Sequence, residues 1–151
     1  MGKKPTGIRV VLDTNALISA LLFGGEPGRL VSLWESGRIV LLLSKDVLLE
    51  YIRVLGYHKF GLDAADIMGL IEDHVLPFAE MIPVGEAPRI VVADPADDKF
   101  LALADAGRAG FLVSGDAHLL LLGTYRRVEI LAPRRFLERP EFCENGDDEA
   151  S

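Results

Sequence analysis

Acidic residues recur in this sequence just after short apolar runs. Asp13 directly follows Ile8-Arg9-Val10-Val11-Leu12, and Asp116 follows Phe111-Leu112-Val113 across Ser114-Gly115. Asp94, Asp97 and Asp98 follow Ile90-Val91-Val92, and Glu50 lies inside the amphipathic stretch after Ile39–Leu43. Carboxylates gathered in one partly buried pocket repel one another, and persist there only if cations neutralise them or some hold protons. No histidine or thiolate partner stands out beside them. Hard, oxygen-seeking Mg²⁺ or Mn²⁺ therefore suits the donor set best. Taken singly, each acid also has an ordinary role. Asp13, Asp94, Asp97 and Asp116 stand where helix N-caps are expected, and Glu50 has Asp46 and Arg53 as neighbours at helical spacing.

The elements that must carry these acids alternate. Ile8–Leu12, rich in β-branched residues, reads as a buried strand, and Asp13-Thr14-Asn15 as a turn into a helix over Ala16–Phe23 that stops at Gly24-Gly25. Pro27 opens a second helix that ends near Gly37. Ile39–Leu43 is the next strand, and Ser44 caps a helix whose apolar face is Val47, Leu48, Tyr51, Ile52 and Leu55. A helix over Ala64–Leu76 stops at Pro77, and Ala79–Val84 reads as an edge strand before a Gly85–Pro88 turn. After the aspartate-rich turn, Phe100, Leu101, Leu103 and Ala104 recur with helical period up to Gly107 and Gly110. Phe111–Val113 is a buried strand, a short helix runs through Leu122, Val128–Leu131 is the last strand, and Pro133–Leu137 is a helical turn. Strands alternating with helices predict a three-layer α/β/α sandwich with a mainly parallel central sheet of about five strands. Ligands in such sheets sit beyond the carboxyl ends of the strands, which is where the acids fall.

The 151 residues suit one domain, and with 50% of them hydrophobic a sizeable core is available. Residues 1–7 read as a flexible N-terminus, 8–140 as the folded domain and 141–151 as an acidic disordered tail. One cysteine, Cys143, excludes a disulfide framework. No apolar run is long enough to span a membrane or to serve as a secretory signal, so a cytoplasmic protein is expected. The net charge of −7 argues at first against a nucleic-acid partner. Four of those charges lie between Cys143 and Ser151, at Glu144, Asp147, Asp148 and Glu149, and others belong to the acidic constellation, which leaves the remaining surface near neutral.

Four blocks together resemble the PIN-domain ribonucleases. They are Val11-Leu12-Asp13-Thr14-Asn15 with Leu17-Ile18-Ser19-Ala20; Ser44 with Glu50; Asp94-Pro95-Ala96-Asp97-Asp98-Lys99-Phe100-Leu101-Ala102-Leu103-Ala104; and Leu112-Val113-Ser114-Gly115-Asp116. They occur in the family's order and spacing, and the resemblance extends to about Leu137. The chain looks most like the bacterial and archaeal branch of toxins from toxin–antitoxin pairs. By this resemblance Asp13, Glu50, Asp98 and Asp116 match the four acidic metal-binding positions, with one or two Mg²⁺ or Mn²⁺ ions as cofactor. Asn15 and Ser114 match accessory polar positions that orient the carboxylates. Asp94 and Asp97 read as caps or supporting groups. An RNA substrate, an antitoxin protein and a homodimer are implied as partners, with the helices around Trp34 and Leu48 to Leu55 as the expected contact surface.

Hydrolysis of a phosphodiester needs charge neutralised on the non-bridging oxygens, an activated water and a stabilised leaving oxygen, which divalent ions supply. Asp13 reads as a central ligand, Asp98 and Asp116 as further ligands, and Glu50 as a ligand or the group that holds water. Arg126, Arg127, Arg134 and Arg135, with Arg139, read either as a phosphate-tracking rim or as a solvated surface balancing the acids. His58, His74 and His118 read as surface or capping groups, and Trp34 and Tyr51 as core or interface residues. Two other functions compete. A phosphatase or phospho-accepting domain would use Asp13 as nucleophile, but the former wants an aspartate where Asn15 stands, and Leu43-Ser44 offers no phospho-accepting acid. A non-catalytic module would be expected to have lost one of the four acids.

Overall fold

The computed structural model describes residues 7–85 and 97–142. Six strands form one sheet in the order β3-β2-β1-β4-β6-β5. These are β1 (Ile8–Leu12), β2 (Ile39–Leu43), β3 (Ala79–Met81), β4 (Phe111–Val113), β5 (Thr124–Tyr125) and β6 (Val128–Leu131). All neighbours run parallel except β5, which returns antiparallel against β6. The helices are α1 (Thr14–Phe23), α2 (Gly25–Glu35), α3 (Lys45–Leu55), α4 (Ala64–His74), α5 (Asp98–Ala106), α6 (Ala117–Leu122) and α7 (Pro133–Leu137). The architecture is the α/β/α sandwich that the alternation predicts.

Strand β2 explains why the sheet is a core element. All five of its residues are buried, as a parallel strand covered on both faces requires, and each leucine there is worth about 1.5–3 kcal/mol of apolar burial. α1 packs on α2 and α3, and α5 lies against β1, β2 and β4. Gly24 ends α1 with φ of 62°, a left-handed conformation that glycine adopts without a steric penalty. Among the described residues no helix is long and apolar enough to cross a membrane, and α1 meets α2 at a bend of 100°.

Several boundaries differ from the sequence expectations. α1 begins at Thr14, because Asp13 itself is the cap. α4 ends at His74, and Leu76–Phe78 is a separate 3₁₀ turn, with Pro77 inside it. β3 is shorter than the Ala79–Val84 stretch, and β5 was not expected at all, being a two-residue strand. Ile90–Val92 and the Gly85–Pro88 turn past Gly85 lie outside the described residues.

The expected contact surface needs correction. Trp34 is only 1% exposed, and its indole N–H donates to the His74 carbonyl at 2.7 Å. It joins α2 to the end of α4 and offers nothing to a partner. Tyr51 and Leu55 are likewise buried, so on α3 it is Leu49 that faces outward. At the other end of the chain Phe142, inside the segment read as a tail, packs 4.7 Å from the Phe136 ring and belongs to the core.

Candidate metal centre

Strand register puts the key groups side by side. Leu12 of β1 pairs with Val113 of β4, so Asp13 and Ser114 each emerge one residue past the same rung. The Asp13 N–H donates to the Val113 carbonyl at 3.0 Å, fixing that alignment. Asp13 then caps α1, with Oδ1 accepting from the Ala16 N–H at 2.9 Å. Its Oδ2 accepts from the Ser114 hydroxyl. The Ser114 oxygen in turn accepts from the Asp116 N–H at 2.9 Å. Serine thus joins two acids that are far apart along the chain, one through its side chain and one through its backbone.

Asp116 caps α6, accepting from the His118 N–H at 2.8 Å and the Leu119 N–H at 3.3 Å. Its carboxylate belongs to a cluster with Asp97 and His118, whose ligand atoms all lie within 4.8 Å of one another. His118 Nδ1 is 3.7 Å from Asp116 Oδ1. His118 is exposed, as expected of a surface group, yet it also stands within reach of two carboxylates. The spacing Asp116-Ala117-His118 was the available signal. A donor two residues after a capping acid turns back over the first helical turn.

Asp97 is buried at the start of α5, in the cap position. Asp98 is the first residue of that helix, and its Oδ1 is sealed from solvent with no hydrogen-bond partner among the described residues. A buried carboxylate oxygen without a donor is costly, and a cation is the natural way to satisfy it. Asp13 is a second buried acid, although both of its oxygens accept hydrogen bonds. It is 6% exposed, and burial pushes its carboxyl above the usual range, a rise that the Ser114 and Ala16 hydrogen bonds partly offset and the Asp116 charge reinforces. Among the described residues no lysine or arginine pairs with Asp13, Asp98 or Asp116. The donor set of carboxylates with one imidazole suits a small divalent ion.

A family profile described as PIN domain matches residues 9–118. The chain belongs to the PIN-domain family. The match begins in β1 and ends at His118, so it takes in Asp13, Glu50, Asp97, Asp98, Ser114 and Asp116. No curated protein matches the chain.

Around the PIN-domain acids lie groups that sequence reasoning passed over. Glu50 Oε1 accepts from Arg53 at 2.9 Å and from Lys99 at 3.3 Å, so Lys99 ties α3 to the first turn of α5. Burial alone would raise the Glu50 carboxyl; the Arg53 hydrogen bond and the Lys99 charge outweigh it and hold the group below its ordinary value. Tyr51 is fully buried, and its hydroxyl donates to the Leu12 carbonyl at 2.6 Å, directly before Asp13. Burial, with the Asp13 charge, pushes that phenol well up. Asn15 is exposed in α1, and among the described residues its side chain bonds to no carboxylate, so Ser114 alone holds one. Asp94 lies outside the described residues.

The arginines divide between two edges. Arg134 and Arg135 begin α7 just past the C-terminal end of β6, the edge that carries Asp13 and Ser114. Arg126 and Arg127 form the turn before β6, at the opposite edge. A single rim through all four does not exist.

Proposed function

We propose that this PIN-domain chain is a metal-dependent endoribonuclease that hydrolyses RNA phosphodiester bonds, acting as the toxin of a toxin–antitoxin pair. One arrangement carries the reading. Asp13 and Asp116 are linked through Ser114, with Asp97 and His118 beside Asp116 and, at the head of α5, a buried Asp98 oxygen with no donor among the described residues. Asp13, Asp98 and Asp116 would hold one or two Mg²⁺ or Mn²⁺ ions, with Glu50 as the fourth carboxylate and Asp97 and His118 adjoining. Such an ion, when bound, supplies neutralising charge at the phosphoryl oxygens and lowers the pKa of water.

The chain's own groups do the rest. Ser114 fixes the Asp13 carboxylate, and Tyr51 anchors the backbone that presents it. Glu50, kept ionised by Arg53 and Lys99, orients the attacking water by accepting its hydrogen bond. A cavity of about 470 Å³ at the C-terminal ends of β2 and β3, lined by Ser44, Lys45, Asp46, Met81 and Ile82, gives a strand of RNA a path along the same edge. Lys45, Arg134 and Arg135 would meet its phosphates. Asp13 is nearly sealed and both its oxygens accept hydrogen bonds, which suits holding a cation better than attacking phosphorus as a nucleophile. Leu121 and Leu122 on α6, exposed just beyond Asp116 and His118, suit an antitoxin that covers the site. A homodimer would draw on the outward face of α3 at Leu49.

The test is a calorimetric Mn²⁺ titration of the wild type and of Asp98→Asn, beside an RNA cleavage assay of Asp13→Asn. Metal-dependent cleavage that Asp13→Asn abolishes, with Mn²⁺ affinity lowered in Asp98→Asn, supports the assignment. Mn²⁺ failing to bind the wild type, or phosphate released from a simple monoester with RNA untouched, overturns it.

A further inference from the structure

Away from the acidic edge, three arginines line a cavity among the described residues. About 550 Å³ in volume, it is lined by Ala104, Asp105, Arg108, Arg126, Arg127 and Val128, among others. It opens at the N-terminal ends of β4 and β6, a strand's length of about 13–17 Å from the acids. We propose that Arg108, Arg126 and Arg127 form a second, metal-independent site that binds phosphate groups.

Three observations converge on it. First, Arg108 and Arg126 are the non-glycine residues with positive φ among the described residues, at 55° and 56°. Arg108 follows the end of α5, and Arg126 opens the two-residue turn between β5 and β6. Glycine or asparagine is the inexpensive residue at both kinds of position. The chain instead places a large cation in a strained conformation twice, and both line the same cavity. Strain held at a surface turn is a mark of use. Second, two of the three charges have no acidic partner among the described residues. Arg126 pairs with Asp105 at 2.8 Å and rests over the Tyr125 ring, while the Arg108 and Arg127 side chains form no ion pair or hydrogen bond among the described residues. Third, the patch occurs in a protein of net charge −7, so it is not one part of a generally basic surface.

Guanidinium groups bind phosphate oxygens through paired N–H donors, and a cavity of this volume takes a group as large as a nucleotide. The site needs none of the acids proposed for hydrolysis, so it stands or falls separately from that reading.

The full chain, in EDTA, is titrated with inorganic phosphate, with ADP and with a fluorescent ten-nucleotide uridine oligomer. Arg108→Gly, Arg126→Gly and Arg127→Ala are each expected to weaken binding about tenfold, the value of one charged hydrogen bond. The two glycine variants keep or gain thermal stability, because glycine relaxes the positive φ. Saturation by phosphate or ADP identifies a free phosphorylated ligand, and binding of the oligomer alone identifies RNA phosphates; either supports the site. Binding unchanged in all three variants overturns it, as does phosphate binding that emerges only when residues 143–151 are removed, since the arginines would then serve the chain's own acidic tail.

Discussion

The Ser114 hydroxyl donates to Asp13 while its oxygen accepts from the Asp116 N–H, so one serine spans the seam between β1 and β4. Removing that hydroxyl leaves both the buried Asp13 oxygen and the half-buried Asp116 N–H without this partner. Ser114→Ala is expected to lower Mn²⁺ affinity about 10–100-fold, the usual effect of losing a group that orients a ligand, and to cost about 1–3 kcal/mol of stability. Ser114→Thr restores both. Calorimetry and urea denaturation read the two effects, and equal Mn²⁺ affinity in the alanine variant would remove the orienting role.

Asp13→Asn separates charge from capping, since asparagine caps a helix as well as aspartate does. The Asp13 carboxyl titrates above its ordinary value, so its favourable share of stability is complete below the unfolded pKa and is lost as pH rises through the folded pKa. Without metal, the asparagine variant should therefore gain on the wild type across that window and hold the gain at neutral pH. Urea denaturation at a series of pH values tests this, and a large loss at pH 7 would reveal a need for the charge itself.

Glu50 has the opposite sign. Its carboxyl lies below its ordinary value, so the stability it brings is present above the unfolded pKa and fades as pH falls through the folded one. Lys99→Gln withdraws one of its two cations and should move the Glu50 titration upward, read by NMR of the side-chain carboxyl. An unmoved titration would mean that Arg53 alone sets it.

Phe142 is the last described residue, and its ring is part of the core. A chain stopped after Phe142 should keep its stability. One stopped after Arg139 should lose about 1.5–3 kcal/mol with the ring's burial, together with the stacking on Phe136. Denaturation midpoints of the two truncations decide it.

Much of this was legible in the sequence, and the reasons are local. Ile8–Leu12 and Ile39–Leu43 are short β-branched or leucine-rich runs bounded by capping residues, so their identity as buried strands needed no tertiary information. Asp13 and Asp116 could be placed at strand ends for the same reason. β5 was illegible because two residues, Thr124 and Tyr125, are strand only through their pairing with β6. His118 and Lys99 were passed over because their meaning lies in what faces them across the fold, Asp97 for one and Glu50 for the other. The arginine series looked continuous along the chain, yet β6 lies between Arg127 and Arg134 and carries them to opposite edges.

The sheet order sends the chain outward from β1 through β2 to β3, then back across to β4. Asp13 and Glu50 therefore come from the first half of the polypeptide, and Asp97, Asp98, Ser114 and Asp116 from the second. A nick in the connection between β3 and α5 would leave each fragment with an incomplete set of the proposed ligands, and metal affinity would be expected to return only when the two pieces reassociate, which makes it a direct gauge of whether they have done so.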